Sequence, residues 1–256
     1  MNLYKNESMH ATLSIGDALR TIDLSQPLDI SIPLTNSFEN PLAWYLDKPV
    51  IAPVKLDNWV GRVSEGASVN FNNIRFNPHA HGTHTECVGH ISNEFHSVHD
   101  ALDTYFFNAE VISVTPEDFG EDSVIPAGQL KGLLQGKRPE AVIIRTLPNT
   151  TDKKSRKYSH TNWPYLHENA ATYLRELGVS HLLIDLPSVD KEKDGGHLLA
   201  HKAFWDFPDN TRHHATITEF VFVPNRVKDG SYVLNLQTAN FVNDATPSRP
   251  ILYKLL

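Results

Sequence analysis

The sequence predicts a mixed α/β fold, and three observations support this prediction. Apolar runs typical of buried strands alternate with a helix in the middle of the chain, and polar–apolar alternation indicates strands toward both ends. The length of 256 residues fits one compact domain or two small ones. Because no internal repeat or long linker divides the chain, we expect a single domain over residues 1–256, with residues 1–20 as a frayed or helical lead-in.

The first strands are predicted from alternation at period two. Residues 22–25 begin this pattern and residues 28–34 continue it, while Pro27 and Pro33 confine the strand to an edge or interrupt it. Residues 69–72 form another short strand, which leads directly into a segment rich in histidine.

The second half of the chain supplies helices between apolar strands. Residues 165–177 are the clearest helix, because apolar residues at helical spacing share one face and Gly178 stands where a left-handed cap belongs. A shorter helix begins with Pro126 in its first turn and ends at Gly136. Five strands are predicted, at residues 108–115, 141–146, 179–186, 215–223 and 232–242.

Composition excludes several classes of function. The net charge of −7 argues against a protein that binds duplex nucleic acid, and no apolar run approaches the 18 residues of a membrane span. The N-terminal residues lack the features of a secretory signal, so the cytoplasm is the expected location. The single cysteine, Cys87, excludes an intrachain disulfide and a zinc site with several cysteines, and we interpret it as a small buried side chain.

Histidine is concentrated where we expect the chemistry. Of 14 histidines, six lie within 21 residues, namely His79, His81, His84, His90, His96 and His99. Residues two apart share a face in extended chain, so His84 and Glu86 point the same way and can begin a divalent-metal site. The alternative is a histidine-rich surface loop, or histidines hydrogen-bonded in a polar core.

A metal site needs ligands from elsewhere in the fold, and a second region offers them. It contains four histidines and four carboxylates, namely His197, His201, His213, His214, Asp190, Asp206, Asp209 and Glu219. Glu219 lies in an apolar, strand-like run, where a carboxylate must be paired, hydrogen-bonded or bound to a cation. The alternative for Glu219 is a solvent-facing position on an edge strand.

The histidine-rich segment contains Gly-Thr-His-Thr-Glu-Cys-Val-Gly-His at residues 82–90. This motif resembles the signature His-x-Gly-Thr-His-x-Asp-x-Pro-x-His of the cyclase/kynurenine-formamidase family of metal-dependent hydrolases. Further pieces occur in the family's order: Asp-Leu-Ser-Gln-Pro-Leu at 23–28, Arg-Thr at 145–146, Gly-Val at 178–179, Ile-Asp at 184–185, Ser-Val-Asp at 188–190, Ala-His-Lys-Ala-Phe at 200–204 and Asp-Ala-Thr-Pro-Ser-Arg at 244–249. The resemblance covers roughly residues 20–256.

The resemblance implies a swivelling three-layer β/β/α fold and a set of site residues. The implied metal ligands are His84, Glu86, His201 and Glu219, and the implied catalytic histidine is His90. This chain departs from the signature at its first histidine, which is Ala80 here, at the aspartate, which is Glu86, and at the proline, which is Val88. Water, His79 or His81 could fill the place of the missing histidine, and the site could hold one metal ion or two.

The implied activity is hydrolysis of a carbon–nitrogen bond in a small non-peptide amide, such as an N-formyl-aryl amine or a cyclic amide or imide. The implied cofactor is a divalent metal, zinc first and manganese as the alternative, and the implied assembly is a homodimer or homotetramer. Trp44, Trp59 and Phe76 are candidates for an apolar substrate pocket, with an ordinary core role as the alternative. The alternative function is a degenerate family member that binds a metal or small molecule without hydrolysing it.

Overall fold

The computed structural model describes residues 8–256. The strands of the first part are β1 (His10–Ile15), β2 (Ala18–Asp23), β3 (Leu28–Asp29), β4 (Val50–Pro53), β5 (Lys55–Leu56), β6 (Trp59–Val60), β7 (Asn72–Arg75) and β8 (His84–Glu86). The later strands are β9 (Phe106–Val114), β10 (Glu117–Phe119), β11 (Asp122–Ile125), β12 (Ala141–Thr146), β13 (Tyr165–Leu166), β14 (His181–Ile184), β15 (Thr216–Glu219), β16 (Gly230–Asn235), β17 (Ala245–Pro247) and β18 (Ile251–Lys254). The helices are α1 (Pro78–His81), α2 (Val98–Ala101), α3 (Ala127–Leu133), α4 (Glu168–Leu177) and α5 (Leu199–Trp205).

A nine-stranded mixed sheet forms the centre of the molecule, in the order β17-β8-β15-β14-β12-β9-β16-β18-β3. Strands β9, β12, β14 and β15 run parallel to one another, and the strands at both ends join antiparallel. In the register of β8 with β15, His84 lies opposite Glu219 and Glu86 lies opposite Ile217. Residues paired in this way point to the same face, so β8 and β15 together direct two carboxylates and an imidazole to one side of the sheet.

Burial of the sheet on both faces explains the continuous apolar runs. Along β12, Val142 and Ile144 belong to the core beneath helices α3, α4 and α5, whereas Ala141 and Ile143 belong to the core on the opposite face. Strand side chains alternate between faces, so a strand covered on both sides needs apolar residues at every position. The predicted mixed α/β, single-domain class is confirmed.

Both helices predicted in the second half of the chain are present, and each is shorter than predicted. Helix α4 begins at Glu168 because the chain before it pairs as β13, and it ends at Gly178, whose φ of 90° forms the expected left-handed cap. Helix α3 follows Pro126, which is its N-terminal cap rather than part of its first turn. None of the helices within residues 8–256 is long and apolar enough to cross a membrane.

Two sequence expectations are corrected. Residues 8–20 are not a frayed or helical lead-in: they enter the hairpin β1–β2, which turns at Gly16 with a φ of 56°. The first seven residues of the predicted lead-in lie outside the described part. The strand predicted at residues 215–223 stops at Glu219, because Phe220 has a left-handed backbone with a φ of 54°.

Candidate metal centre

The candidate metal centre lies on the face of the sheet that α5 covers. Strand β8 supplies His84 and Glu86, whose side chains are 0% exposed, and β15 supplies Glu219. The start of β8 is tied to the end of β15 by Thr83, whose hydroxyl donates to the Phe220 carbonyl at 2.6 Å. The predicted alternation of His84 and Glu86 on one face therefore holds.

The four residues that the resemblance implies as ligands form a connected chain of contacts. The closest approaches are 3.3 Å from His84 Nε2 to Glu219 Oε2, 3.0 Å from His201 Nε2 to Glu86 Oε1, and 3.9 Å from His201 Nε2 to Glu219 Oε1. The structure thus brings all four together. Glu219 also accepts a hydrogen bond from Val189 N at 2.9 Å, which fixes it to the loop before α5.

His79 joins this cluster, and His81 does not. Residues 78–81 form a single turn of helix with Asn77 before it and Pro78 at its first position, rather than extended chain. Successive residues of a helix are turned by about 100°, so His79 and His81 point in nearly opposite directions. His79 Nδ1 lies 3.1 Å from Glu86 Oε2, whereas His81 bonds the Asp47 carbonyl and the Asn77 amide, each at 2.8 Å.

His90 lies at the mouth of the centre. The chain turns after Glu86 in a 3-10 turn over Val88–His90, and the side chain of His90 is 31% exposed. Its Nε2 lies 4.0 Å from Glu86 Oε2 and its Nδ1 lies 3.6 Å from Asp244 Oδ2. The ring stacks on that of His79 with centroids 4.3 Å apart.

Three groups of side chains offer donor atoms close enough to share a metal ion. They are His79 with His84 and Glu86, Glu86 with His90 and His201, and His79 with His90 and Asp244. The first group contains two fully buried atoms, His84 Nε2 and Glu86 Oε2, that have no hydrogen-bond partner among the described residues. Buried polar atoms of native proteins are almost always satisfied, so these two fit a bound cation.

The charge balance of the centre is set by imidazoles facing carboxylates. Burial opposes ionisation of Glu86, but His90, His201 and His79 outweigh it and hold the pKa of Glu86 well below its usual range. Burial likewise opposes protonation of His79, yet the neighbouring carboxylates of Asp244 and Glu86 raise the pKa of His79 to about 10. A positive charge is therefore strongly favoured at this position, and a divalent cation can supply it in place of protons.

Two carboxylates stand behind the centre. Asp190 Oδ2 lies 2.6 Å from His201 Nδ1, and its other oxygen accepts from Ala200 N at the start of α5. Asp190 was among the sequence candidates. Asp244 was missed, because only the pairing of β17 with β8 brings it beside His79; its sole signal was its place in the Asp-Ala-Thr-Pro-Ser-Arg segment.

The aromatic candidates lie in three different places. Trp44 packs on Trp163 at 5.2 Å in a cluster that also contains Phe220, whose ring centroid is 6.2 Å from that of His84. Phe76 lines a cavity of about 640 Å³ beside Gly82 and Thr83. Trp59 lies in β6 of the small β5–β6 hairpin and packs on Phe71.

Cys87 is fully buried in the core on the opposite face of the sheet from Glu86. Burial raises the pKa of its thiol to about 11, so the thiol stays protonated at neutral pH. This agrees with its interpretation as a small buried side chain.

Comparison with known proteins decides the family. The profile described as "Putative cyclase" matches residues 22–191. The chain belongs to the Cyclase family. A kynurenine formamidase of Bacillus cereus is 27% identical over 230 residues, which cover 89% of this chain and 97% of that protein.

Solved structures of the family share the fold. A potential metal-dependent hydrolase with cyclase activity matches with a TM-score of 0.63 at 16% identity, covering 89% of this chain and 97% of that one. An isatin hydrolase bound to the product analogue thioisatinate matches with a TM-score of 0.62 at 15% identity, covering 90% and 93%. The cyclase-family fold implied by the sequence resemblance is thus confirmed.

Proposed function

We propose that this Cyclase-family protein is a metal-dependent hydrolase that cleaves a carbon–nitrogen bond in a small non-peptide amide. The observation that carries the proposal is the buried pair of unsatisfied atoms, His84 Nε2 and Glu86 Oε2, with His79 Nδ1 beside them. The relatives named kynurenine formamidase and isatin hydrolase support an N-formyl-aryl amine or a cyclic amide or imide as the substrate class.

His79, His84 and Glu86 would hold the divalent cation, and His201 and Glu219 would complete its surroundings. Two imidazoles and a carboxylate suit zinc, with manganese as the alternative. When bound, the cation supplies Lewis acidity that activates water and polarises the scissile carbonyl. Glu86 is held ionised by its imidazole neighbours, so it meets the cation as a carboxylate without first losing a proton.

His90 is the proposed general base. It is more exposed than the other histidines of the centre, so a substrate can reach it, and the nearby Asp244 carboxylate limits the rotation of its ring. In this role His90 takes a proton from the attacking water and returns it to the leaving nitrogen. Trp44, which is only partly buried where it packs on the cluster that contains Phe220, would then offer an apolar wall to an aromatic substrate.

The experiment that tests the proposal is metal analysis of untagged protein followed by a substrate panel. Formyl-aryl amines, cyclic imides and lactones are assayed with zinc or manganese added back to the stripped protein. We expect hydrolysis of at least one amide class and a loss of bound metal in His79→Ala. His81→Ala is the matched control and should retain the metal, because His81 bonds the Asp47 carbonyl instead.

The second candidate, a binding protein without hydrolase activity, is favoured by one observation, the Ala80 in place of the family histidine. A protein that binds metal but turns over no member of the panel would support it. The cytoplasmic location and the homodimer or homotetramer remain proposals. Light scattering of the purified protein tests the assembly.

A further inference from the structure

The Asp244 carboxylate contacts two stacked imidazoles, those of His79 and His90. Its Oδ2 is 3.2 Å from His79 Nε2, a hydrogen bond, and 3.6 Å from His90 Nδ1. The other nitrogen of each ring faces Glu86 Oε2, at 3.1 Å for His79 and 4.0 Å for His90. The carboxylate therefore contacts each ring at the nitrogen that does not face Glu86.

The hydrogen bond to Asp244 determines which nitrogen of His79 is free. A carboxylate can only accept, so His79 Nε2 must carry the proton. A neutral ring then has its electron pair on Nδ1, the atom that lies 3.1 Å from the unsatisfied Glu86 Oε2. Carboxylates that hold the far nitrogen of a ligating histidine fix its tautomer and ring orientation and raise its basicity.

His79 needs such a partner because its own element is short. Helix α1 has only four residues, and the backbone is extended again at Gly82, so the helix contributes little to the position of the ring. Asp244 is held far more firmly. Its carbonyl accepts from Cys87 N at 3.0 Å, and the following residue, Ala245, pairs with Glu86 in the sheet.

His201 shows the same arrangement on the other side of Glu86. Asp190 holds His201 Nδ1 at 2.6 Å, which leaves Nε2 directed at Glu86 Oε1 at 3.0 Å. Two imidazoles thus approach Glu86, each backed by its own carboxylate. For His79 that carboxylate comes from a segment of sequence that is remote from the histidine-rich one.

We propose that Asp244 is a positioning residue, which orients His79 so that Nδ1 can ligate a divalent cation and thereby sets the affinity of the centre for that cation. The inference rests on the proposed function only in that it requires the cation. The inference explains how His79 can act as a ligand although the position of the family's first histidine is Ala80 in this chain. The Asp244 carboxylate orients the His79 ring toward the cation.

The test measures affinity for Zn²⁺ in the metal-stripped full chain, by competition with a chromophoric chelator. Asp244→Ala should weaken Zn²⁺ binding about 10- to 100-fold, the usual cost of removing a partner behind a metal-ligating histidine. It should also change the visible absorption spectrum of the Co²⁺-loaded protein, which reports the ligand set. Asp244→Glu should restore much of the affinity, because a carboxylate again reaches His79 Nε2.

The control is Asp152→Ala. Its carboxylate is exposed and pairs with Arg156, so the variant loses the same charge elsewhere. We expect its Zn²⁺ affinity to match that of the wild type. The melting temperature of each metal-free variant shows whether the fold is kept, and Asp244→Asn, with an intermediate loss expected, replaces the alanine variant if that one does not fold.

Two results would overturn the inference, and they differ from failure of the proposed function. One is an Asp244→Ala protein whose Zn²⁺ affinity is within about twofold of wild type and whose Co²⁺ spectrum is unchanged. The other is an equal loss of Zn²⁺ affinity in the Asp152→Ala control, which would show that the effect of Asp244 is one of long-range charge. A wild-type chain that binds no Zn²⁺ would instead contradict the metal centre itself.

Discussion

Gly89 lies between the strand that carries Glu86 and the proposed base His90, and replacing it with alanine should displace that base. A Cβ atom on Gly89 would stand 2.2 Å from the carbonyl oxygen of His96 and 3.0 Å from its carbonyl carbon. The obstacle is backbone, which cannot rotate away as a flexible side chain can. Gly89 is therefore required for close approach of two chain segments, since its φ is not in the left-handed region.

The size of the effect follows from this distance. Real Cβ atoms essentially never come closer than 3.0 Å, so the two segments must separate by most of an ångström. Overpacking of this kind costs about 1–3 kcal/mol of stability. A displacement of about 1 Å in a catalytic group can lower turnover about 10²-fold. We expect Gly89→Ala to show both losses while its bound metal remains, because His79, His84 and Glu86 precede the turn.

Urea unfolding of the metal-free protein measures the stability, and Gly132→Ala is the matched control. Gly132 is exposed within α3, and apart from its chain neighbours and the backbone of its own helix no atom of the described residues lies within 4 Å of a Cβ built there. That variant should gain about 0.5–1 kcal/mol, because alanine favours the helix. The two substitutions add the same methyl group and should change stability in opposite directions. A Gly89→Ala protein as stable and active as wild type would refute the reasoning.

Three further predictions concern Glu86, His90 and His181. Glu86→Gln should sharply reduce bound metal, because an amide replaces the anionic donor. The control Glu94→Gln changes an exposed residue outside the centre and should keep its metal. An unchanged metal content in Glu86→Gln would show that Glu86 is purely structural. His90→Ala should keep the metal and lose turnover about 10²- to 10⁴-fold; loss of the metal would make His90 a ligand instead. Burial lowers the pKa of His181 to about 3, with smaller contributions from His214 and Arg212, so the unfolded chain takes up the proton first. The stability that neutral His181 contributes is complete above about pH 6.5 and is lost as the pH falls toward 3. The urea midpoint of His181→Gln should therefore fall less between pH 7.5 and pH 4.5 than that of the wild type. An identical pH dependence in the variant would contradict this.

The sequence predicts the interior of the fold better than its ends. Residues 141–146 could be recognised as a buried strand because the sheet is covered on both faces and every position is apolar. The hairpin β1–β2 was missed although its signals are present, namely alternating exposure along His10–Ile15 and a two-residue turn that begins with Gly16. Its surface is largely exposed, so its sequence has no apolar run to stand out.

In the candidate site, some positions follow from the local sequence and others depend on pairing between distant segments. The shared face of His84 and Glu86 follows from strand periodicity alone, and the structure shows it. The choice between His79 and His81 depends on whether residues 78–81 are extended or helical; Asn77 and Pro78 are a helix-start signal that the strand interpretation passed over. The position of Asp244 depends on the pairing of β17 with β8, for which no local pattern exists.

Among the described residues, eight other than glycine have a positive φ, and two of them border the candidate centre. They are Phe220, directly after Glu219, and Leu198, directly before the helix that carries His201. Such conformations cost of order 1–3 kcal/mol each and persist only where the surroundings determine them. Phe220 is 1% exposed and its amide and carbonyl both bond to neighbouring chain, at Leu186 and Thr83. Strand β15 therefore ends at Glu219 because packing around the centre overrides the strand propensity of the residues that follow, and the same override is why the sequence predicts a strand four residues too long.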